Sequence, residues 1–225
     1  MNVAIIPARG GSKRIADKNI RNFLGQPIIA YSINSALESK LFDRIIVSTD
    51  SAKISEIASY YGAEVPFIRP DELADDYTAT VDVISHAVKE LNLDDDDLVT
   101  CIYATAPFLN HQRLISAHEL FHDQYPTYCF PVVEFEFPIQ RSVSLHEGRV
   151  KVKEPSKIAS RSQDLIPYYH DVGQFYVGLA STWKDRVPII SNEASAFVIS
   201  RKLLIQRKTG LWPKTFIVLF IARAV

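Results

Sequence analysis

The chain is poor in several things at once, and each shortage removes a class of function. It has two cysteines, Cys101 and Cys129, each set in an apolar run. That excludes a disulfide framework and points to buried thiols in a reducing compartment. It has little net charge of either sign, with 25 Lys and Arg against 26 Asp and Glu, which argues against a nucleic-acid partner. The apolar stretches are short. Residues 3–7 are too few for a signal peptide and are soon followed by Arg9 and Lys13, and 216–221 is far short of a membrane span. The expectation is a cytoplasmic protein with no membrane partner. Residues 201–225 also contain no acid, an absence with consequences below.

What remains is an ordinary globular composition, with 47% hydrophobic and 23% charged residues, in a chain long enough for one sizeable core. Its first half alternates apolar strand candidates (3–6, 44–48, 64–68, 98–103) with helical patterns (28–39, 52–61, 81–91, 113–122). Continuous apolar strands between amphipathic helices predict an α/β fold, a Rossmann-like mostly parallel sheet with helices on both faces. Ligands of such sheets sit at the carboxyl ends of the strands. After about residue 126 the rhythm changes to strand candidates at 128–134 and 176–179, with a hairpin signal at Glu147-Gly148 within 141–153. This predicts an insertion or subdomain, after which the chain returns to the sheet. The acidic run 92–97 reads as a solvated loop at the amino end of a strand.

The densest chemistry follows the first strand: Ile-Ile-Pro-Ala-Arg-Gly-Gly-Ser-Lys-Arg at 5–14, then Lys18. Gly10 and Gly11 let backbone N–H groups converge on an anion, and Ser12 adds a donor. Arg9, Lys13, Arg14 and Lys18 can neutralise several phosphate charges. A basic, solvated surface turn is the competing reading. The spacing is neither that of a Walker loop nor that of the three-glycine dinucleotide fingerprint.

This opening resembles the sugar-activating nucleotidyltransferases, specifically the cytidylyltransferases acting on nine-carbon acidic sugars. Their pattern of an apolar strand, Ile-Pro-Ala-Arg-Gly-Gly-Ser-Lys and then Lys-Asn-Ile stands here at 6–13 and 18–20. The resemblance implies a nucleotide-diphospho-sugar transferase fold. It assigns CTP binding to Pro7, Ala8, Arg9, Gly10, Gly11, Ser12, Lys13 and Lys18, with Lys18 and Arg9 catalytic. Arg69-Pro70 followed by 73–76 resembles the family's nucleotide-facing loop, which makes Arg69 and Asp76 further CTP contacts, although Arg69 also reads as a surface charge. Asp50 closes the second strand at the ligand edge or caps the next helix.

Further motifs narrow the sugar. Ala104-Thr105-Ala106-Pro107 matches the loop after the fourth strand, but Tyr103 stands where sialate-activating members carry glutamine. The stretches 138–141, 160–165 and 169–176 resemble the branch that activates pseudaminic acid. That branch implies sugar contacts from Tyr103, Arg141, Arg161, Gln163, His170, Asp171 and Gln174, with Arg141 and Arg161 suited to a carboxylate. His170 is equally a hydrogen-bonded interface residue. The resemblance also implies Mg2+ as cofactor, and a homodimer in which residues 130–175 serve dimerisation and sugar binding within a single 1–225 nucleotidyltransferase domain. The expected activity is transfer of CMP from CTP to the anomeric hydroxyl of a nine-carbon sugar acid, for surface glycan or flagellin glycosylation. N-acylneuraminate is the alternative substrate.

The ending departs from the family, which closes on a Gln-Asp-Ile-Asp-Thr-x-Glu-Asp type of motif whose aspartates hold the metal. No such acids stand here, so no metal ligands are assigned. Codons permitted for Leu203 to Phe220, read two bases in, can encode Ile-Asp-Thr-Glu-Glu-Asp-Trp-Leu-Met-Ala-Glu-Asn-Phe-Tyr-Arg-Val-Ile. The expectation is therefore a frameshift near Leu203 and an aberrant tail at 203–225, leaving either residual activity or a CTP-binding remnant. One unrelated pattern remains: His118-Glu119-x-x-His122 fits a zinc peptidase helix.

Overall fold

The computed structural model describes residues 1–12 and 15–200. The phosphate role expected of Lys13 and the aberrant tail expected at 203–225 lie outside the described residues. The described residues divide into two compact units, Met1–Pro131 with Gly173–Phe197, and Val132–Val172 with 198–200.

The first unit opens with β1 (Asn2–Pro7), a small ribbon of β2 (Asn22–Phe23) and β3 (Gln26–Pro27), and α1 (Ile28–Ser39). It continues through β4 (Arg44–Ser48), α2 (Ala52–Tyr60), α3 (Thr80–Glu90), β5 (Leu98–Ile102), α4 (His111–Gln124) and the start of β6 (Cys129–Glu134). β1 lies between β4 and β5, parallel to both, with Ile5 opposite Ile46 on one side and Cys101 on the other. All four residues from Val3 to Ile6 have no solvent exposure, the signature of a strand covered on both faces. Ala4 and Ile6 join a cluster with Ile29 and Ile33 of α1 and Leu114 and Phe121 of α4. Val3 and Ile5, one residue out of phase, face the opposite side, where α3 packs against β1.

The second unit carries the hairpin β7 (Val143–His146) and β8 (Arg149–Val152), then β9 (Tyr169–Asp171), which pairs antiparallel with the far end of β6. The Glu147-Gly148 turn has φ of 48° and 77°, the positive pair that a two-residue hairpin requires and that glycine supplies at low cost. The chain then returns to the first unit as β10 (Phe175–Leu179), α5 (Ala180–Lys184) and β11 (Ser195–Val198). β10 is antiparallel to β5, and the sheet order is β11-β6-β10-β5-β1-β4. The sheet is mixed and mostly parallel around β1.

Two local expectations need correction. Residues 64–68 form two isolated bridges, Ile46 to Glu64 and Thr49 to Ile68, in place of a strand; Pro66 between them removes the donor a ladder needs. The acidic run is only partly solvated. Asp97 is buried, accepting from the Asp94 N–H at 2.8 Å and from the Met1 amino group. Among the described residues no helix is long and apolar enough to cross a membrane.

Candidate active site

The site is built where β1 ends. Pro7 pairs with Ser48 on β4, and the Ala8 N–H donates to the Ser48 carbonyl at 2.9 Å. Ala8 is buried, so the chain leaves the sheet at Arg9. The Gly10 N–H donates to Asp50 Oδ1 at 2.8 Å, and the Ser12 N–H to the Gly10 carbonyl at 3.0 Å. A Cβ on Gly10 would stand 2.9 Å from the Ser51 Cβ, whereas one on Gly11 would meet nothing within 4 Å. Gly10 is therefore required by close approach; Gly11 keeps its backbone open to whatever the turn holds. Buried Asn19 braces the turn from beneath, its amide donating to the Arg9 carbonyl at 2.9 Å. Lys18, half-buried, begins the short 3-10 turn Lys18–Ile20.

Three carboxylates lie near this turn, and each has a task. Asp50 does not cap α2: Ser51 does, its hydroxyl accepting from the Ile54 N–H at 3.4 Å. Asp75 Oδ1 accepts from the N–H groups of Tyr77 and Thr78 at 2.9 and 2.6 Å and from the Thr78 hydroxyl at 2.6 Å. The Thr78 bonds hold the Asp75 carboxyl below the usual carboxylate range, helped by the Tyr77 N–H. Asp76 pairs with the Arg9 guanidinium, which also donates to the Asp75 and Ala74 carbonyls.

Arg69 is not a surface charge. It is 3% exposed, anchored by its own N–H on the Thr49 carbonyl at 2.8 Å, and its Nε and Nη2 lack an acceptor. Its Nη2 stands 3.8 Å from Asp50 Oδ1. Burial lowers its affinity for a proton, Asp50 opposes that shift, and Arg9 adds to it.

At the end of β5, the Tyr103 hydroxyl pairs with the Thr80 hydroxyl at 3.0 Å, and its N–H donates to the Gln174 carbonyl at 2.9 Å. Gln174 is buried, and its Oε1 accepts from Arg113 Nη1 at 3.1 Å. Arg113 is itself buried and also donates to the Phe108 carbonyl at 3.0 Å. In the second unit, Arg141 Nη1 donates to the Ser162 hydroxyl at 3.3 Å, which brings Arg141 beside exposed Arg161 and Gln163. His170 and Asp171 lie on β9 opposite Val133 and Val132. The His170 ring meets Phe135 edge-on at 4.9 Å, and its Nδ1 lies 2.9 Å from the Asp171 carbonyl.

Arg113 and Thr80 were missing from the candidates read off the sequence. Nothing in a helical pattern distinguishes a buried arginine from a solvated one. Asn19 was legible, since it stands inside the Lys-Asn-Ile motif.

The zinc peptidase reading fails on geometry. His118 is buried under the sheet with its Nε2 2.9 Å from the Thr100 hydroxyl and its ring against Phe42, while Glu119 and His122 face solvent. Burial, with a smaller push from His122, takes the His118 pKa down to about 4. It is a core histidine. The buried thiols of Cys101 and Cys129 are free, and burial raises both pKa values, so neither is poised as a nucleophile.

Comparison with known proteins decides the family. A sequence profile of the cytidylyltransferases matches residues 3–180. The chain belongs to the cytidylyltransferase family. It is 44% identical to the pseudaminic acid cytidylyltransferase of Campylobacter jejuni serotype O:2 over 206 residues, 90% of this chain and 89% of that one. It is 38% identical over 200 residues to a longer Helicobacter pylori protein named pseudaminic acid cytidylyltransferase and UDP-2,4-diacetamido-2,4,6-trideoxy-beta-L-altropyranose hydrolase, covering 88% of this chain and 38% of that one. Among solved structures, a CMP:2-keto-3-deoxy-manno-octonic acid synthetase complexed with CTP superposes with a TM-score of 0.65 at 15% identity, covering 88% and 89% of the two chains. That likeness establishes the nucleotidyltransferase fold.

Proposed function

We propose that this cytidylyltransferase transfers CMP from CTP to the anomeric hydroxyl of pseudaminic acid, working in the cytoplasm as a homodimer and supplying an activated sugar for surface glycan or flagellin glycosylation. The observation that carries the substrate is the 44% identity to the Campylobacter pseudaminic acid enzyme across nine-tenths of both chains. Tyr103, in the place of the sialate members' glutamine, favours it over N-acylneuraminate.

In this reading the sugar hydroxyl oxygen bonds to the α-phosphorus, the α–β anhydride bond breaks, pyrophosphate leaves with that bond's electron pair, and the hydroxyl proton passes to solvent. The protein's share is positioning and charge stabilisation. The Gly11 N–H, Ser12, Lys13 and Arg9 hold the triphosphate, the Gly10 N–H being taken by Asp50, and Lys18 stabilises the charge that grows as pyrophosphate departs. Arg69 reads the base. Its Nε and Nη2 form the side-on fork of the guanidinium, and cytosine offers two adjacent acceptors, O2 and N3, where uracil carries a proton on N3. In the second unit Arg141 and Arg161 take the sugar carboxylate. Gln163, His170 and Asp171 meet its amides and hydroxyls.

Magnesium needs separate treatment. Among the described residues no three His, Cys, Asp or Glu side chains form a cluster, and Asp50, Asp75 and Asp76 are engaged as described. These residues do not suit a resident magnesium ion, so no step here is assigned to one. The metal enters this reading as the triphosphate's counterion, and the acid-free sequence of 203–225 favours a second outcome: an enzyme that binds CTP but turns over slowly.

A pyrophosphate-release assay with CTP and pseudaminic acid, N-acetylneuraminic acid or no sugar tests the proposal, on this chain and on one with the 203–225 reading frame restored. Release is expected with pseudaminic acid, weakly from this chain and faster by orders of magnitude from the restored one. Release with N-acetylneuraminate alone would overturn the substrate assignment.

A further inference from the structure

Asp50 belongs to none of the recognition roles above, yet one of its oxygens touches both halves of the nucleotide site. Oδ1 accepts from the Gly10 N–H at 2.8 Å and stands 3.8 Å from Arg69 Nη2. The cap of the following helix, the ordinary task for an aspartate in this place, is taken by Ser51. The two contacts differ in kind. The first is a hydrogen bond that fixes the direction of a backbone donor in the turn. The second is too long for a hydrogen bond; it supplies counter-charge to a buried guanidinium without consuming its N–H groups. Asp50 therefore balances Arg69 while leaving Nε and Nη2 available to a ligand.

We infer that Asp50 is a positioning residue that couples base recognition at Arg69 to the shape of the phosphate turn at Gly10. The inference rests on the reading of this site as a CTP site, and it deepens that reading. Cytosine on the Arg69 fork draws on the same carboxylate that orients the Gly10 N–H, so the correct base and a correctly shaped turn reinforce each other. Asp50 thereby tunes the discrimination that Arg69 makes without itself touching the base.

Two substitutions separate the two contacts. Asp50→Asn keeps an oxygen for the Gly10 N–H and removes the counter-charge; Asp50→Ala removes both. Calorimetric titration of the full chain with CTP, UTP and inorganic tripolyphosphate avoids any dependence on turnover. Asp50→Asn should lower the CTP-over-UTP preference about tenfold and leave tripolyphosphate binding at least as tight as in the wild type. Asp50→Ala should lower the preference and weaken tripolyphosphate as well. A merely structural aspartate would weaken all three ligands in proportion.

Should Asp50→Asn fold poorly, the same change in an Arg69→Gln background, where no buried cation awaits a partner, must leave the preference unaltered. Any further fall there overturns the coupling. Wild-type protein indifferent to CTP would overturn the nucleotide reading and this inference with it. A wild type that prefers CTP and an Asp50→Asn variant with the same preference would overturn the inference alone.

Discussion

The residues assigned to the site in the two units stand in different surroundings. In the first, Asp50 holds the Gly10 N–H, Asn19 holds the Arg9 carbonyl, Thr78 holds Asp75, and Arg9 is clasped by the 74–76 loop. In the second, Phe137, Leu145 and Ile166 are 77%, 72% and 75% exposed, and Arg161 and Gln163 also face solvent. A phosphate site must place its donors before the anion arrives, because reorganising them during reaction costs rate. A surface that leaves large apolar side chains in water is suited to a partner, and the partner in the proposed reading is a second copy of the chain.

The sharpest way to break the comparison is to charge that surface. Leu145→Asp appears twice in a symmetric dimer and would have to be desolvated in each copy. We expect the dimer to weaken by about 4 kcal/mol, or roughly a thousandfold, as read by sedimentation, with CTP titration unchanged. An unmoved dimer would show that β7 is not part of its interface. A loss of CTP binding would show that the two units do not divide the work as described.

The next effect concerns the first unit alone. His118 is neutral in the fold, with a pKa near 4, and unfolded histidine titrates near 6.5. Between those values the unfolded chain binds a proton that the folded one refuses, so stability is full above about pH 6.5 and falls as pH drops toward 4. The loss should be about 3 kcal/mol across that window. Denaturation midpoints measured by pH would show it, and His118→Gln should flatten the slope while costing stability at neutral pH.

These contrasts also explain what could be read from the residues alone. Strands with no exposed residue, such as 3–6, announce themselves as continuous apolar runs, and helices with period-3.6 stripes do the same, so the mostly parallel sheet was legible. The turn after β1 stood out because Gly10, Gly11 and Ser12 lie beside Arg9 and Lys18 in one short stretch; its phosphate role belongs to the proposed reading. Pairings across long sequence distances were not. No local pattern marks Gln174 as the acceptor for Arg113, or Asp50 as the shared neighbour of Gly10 and Arg69. The His118 to His122 spacing decided nothing by itself, because helical periodicity places two histidines near one face without saying whether that face meets solvent or sheet.

A smaller effect separates the two glycines of the turn. Gly10→Ala forces a Cβ to within 2.9 Å of the Ser51 Cβ, while Gly11→Ala meets nothing. Thermal unfolding should register a loss of about 2 kcal/mol for the first and almost none for the second. Equal losses would mean that backbone freedom, and not close approach, is what the turn requires.

The smallest expected effect is also the cleanest probe of the second unit. The Arg141 guanidinium donates to the Ser162 hydroxyl at 3.3 Å, and both residues are exposed. Its removal should therefore leave stability within about 0.5 kcal/mol of wild type. In the proposed reading Arg141 is one of two arginines that take the sugar carboxylate, so its removal should raise the KM for the sugar acid about tenfold, the worth of one charge-assisted hydrogen bond, while the CTP affinity stays fixed. Ser162→Ala, which removes the bond but keeps the guanidinium, should move KM much less. If Arg141→Ala and Ser162→Ala raise KM equally, the arginine acts by bracing the 161–163 segment, and the carboxylate contact passes to Arg161.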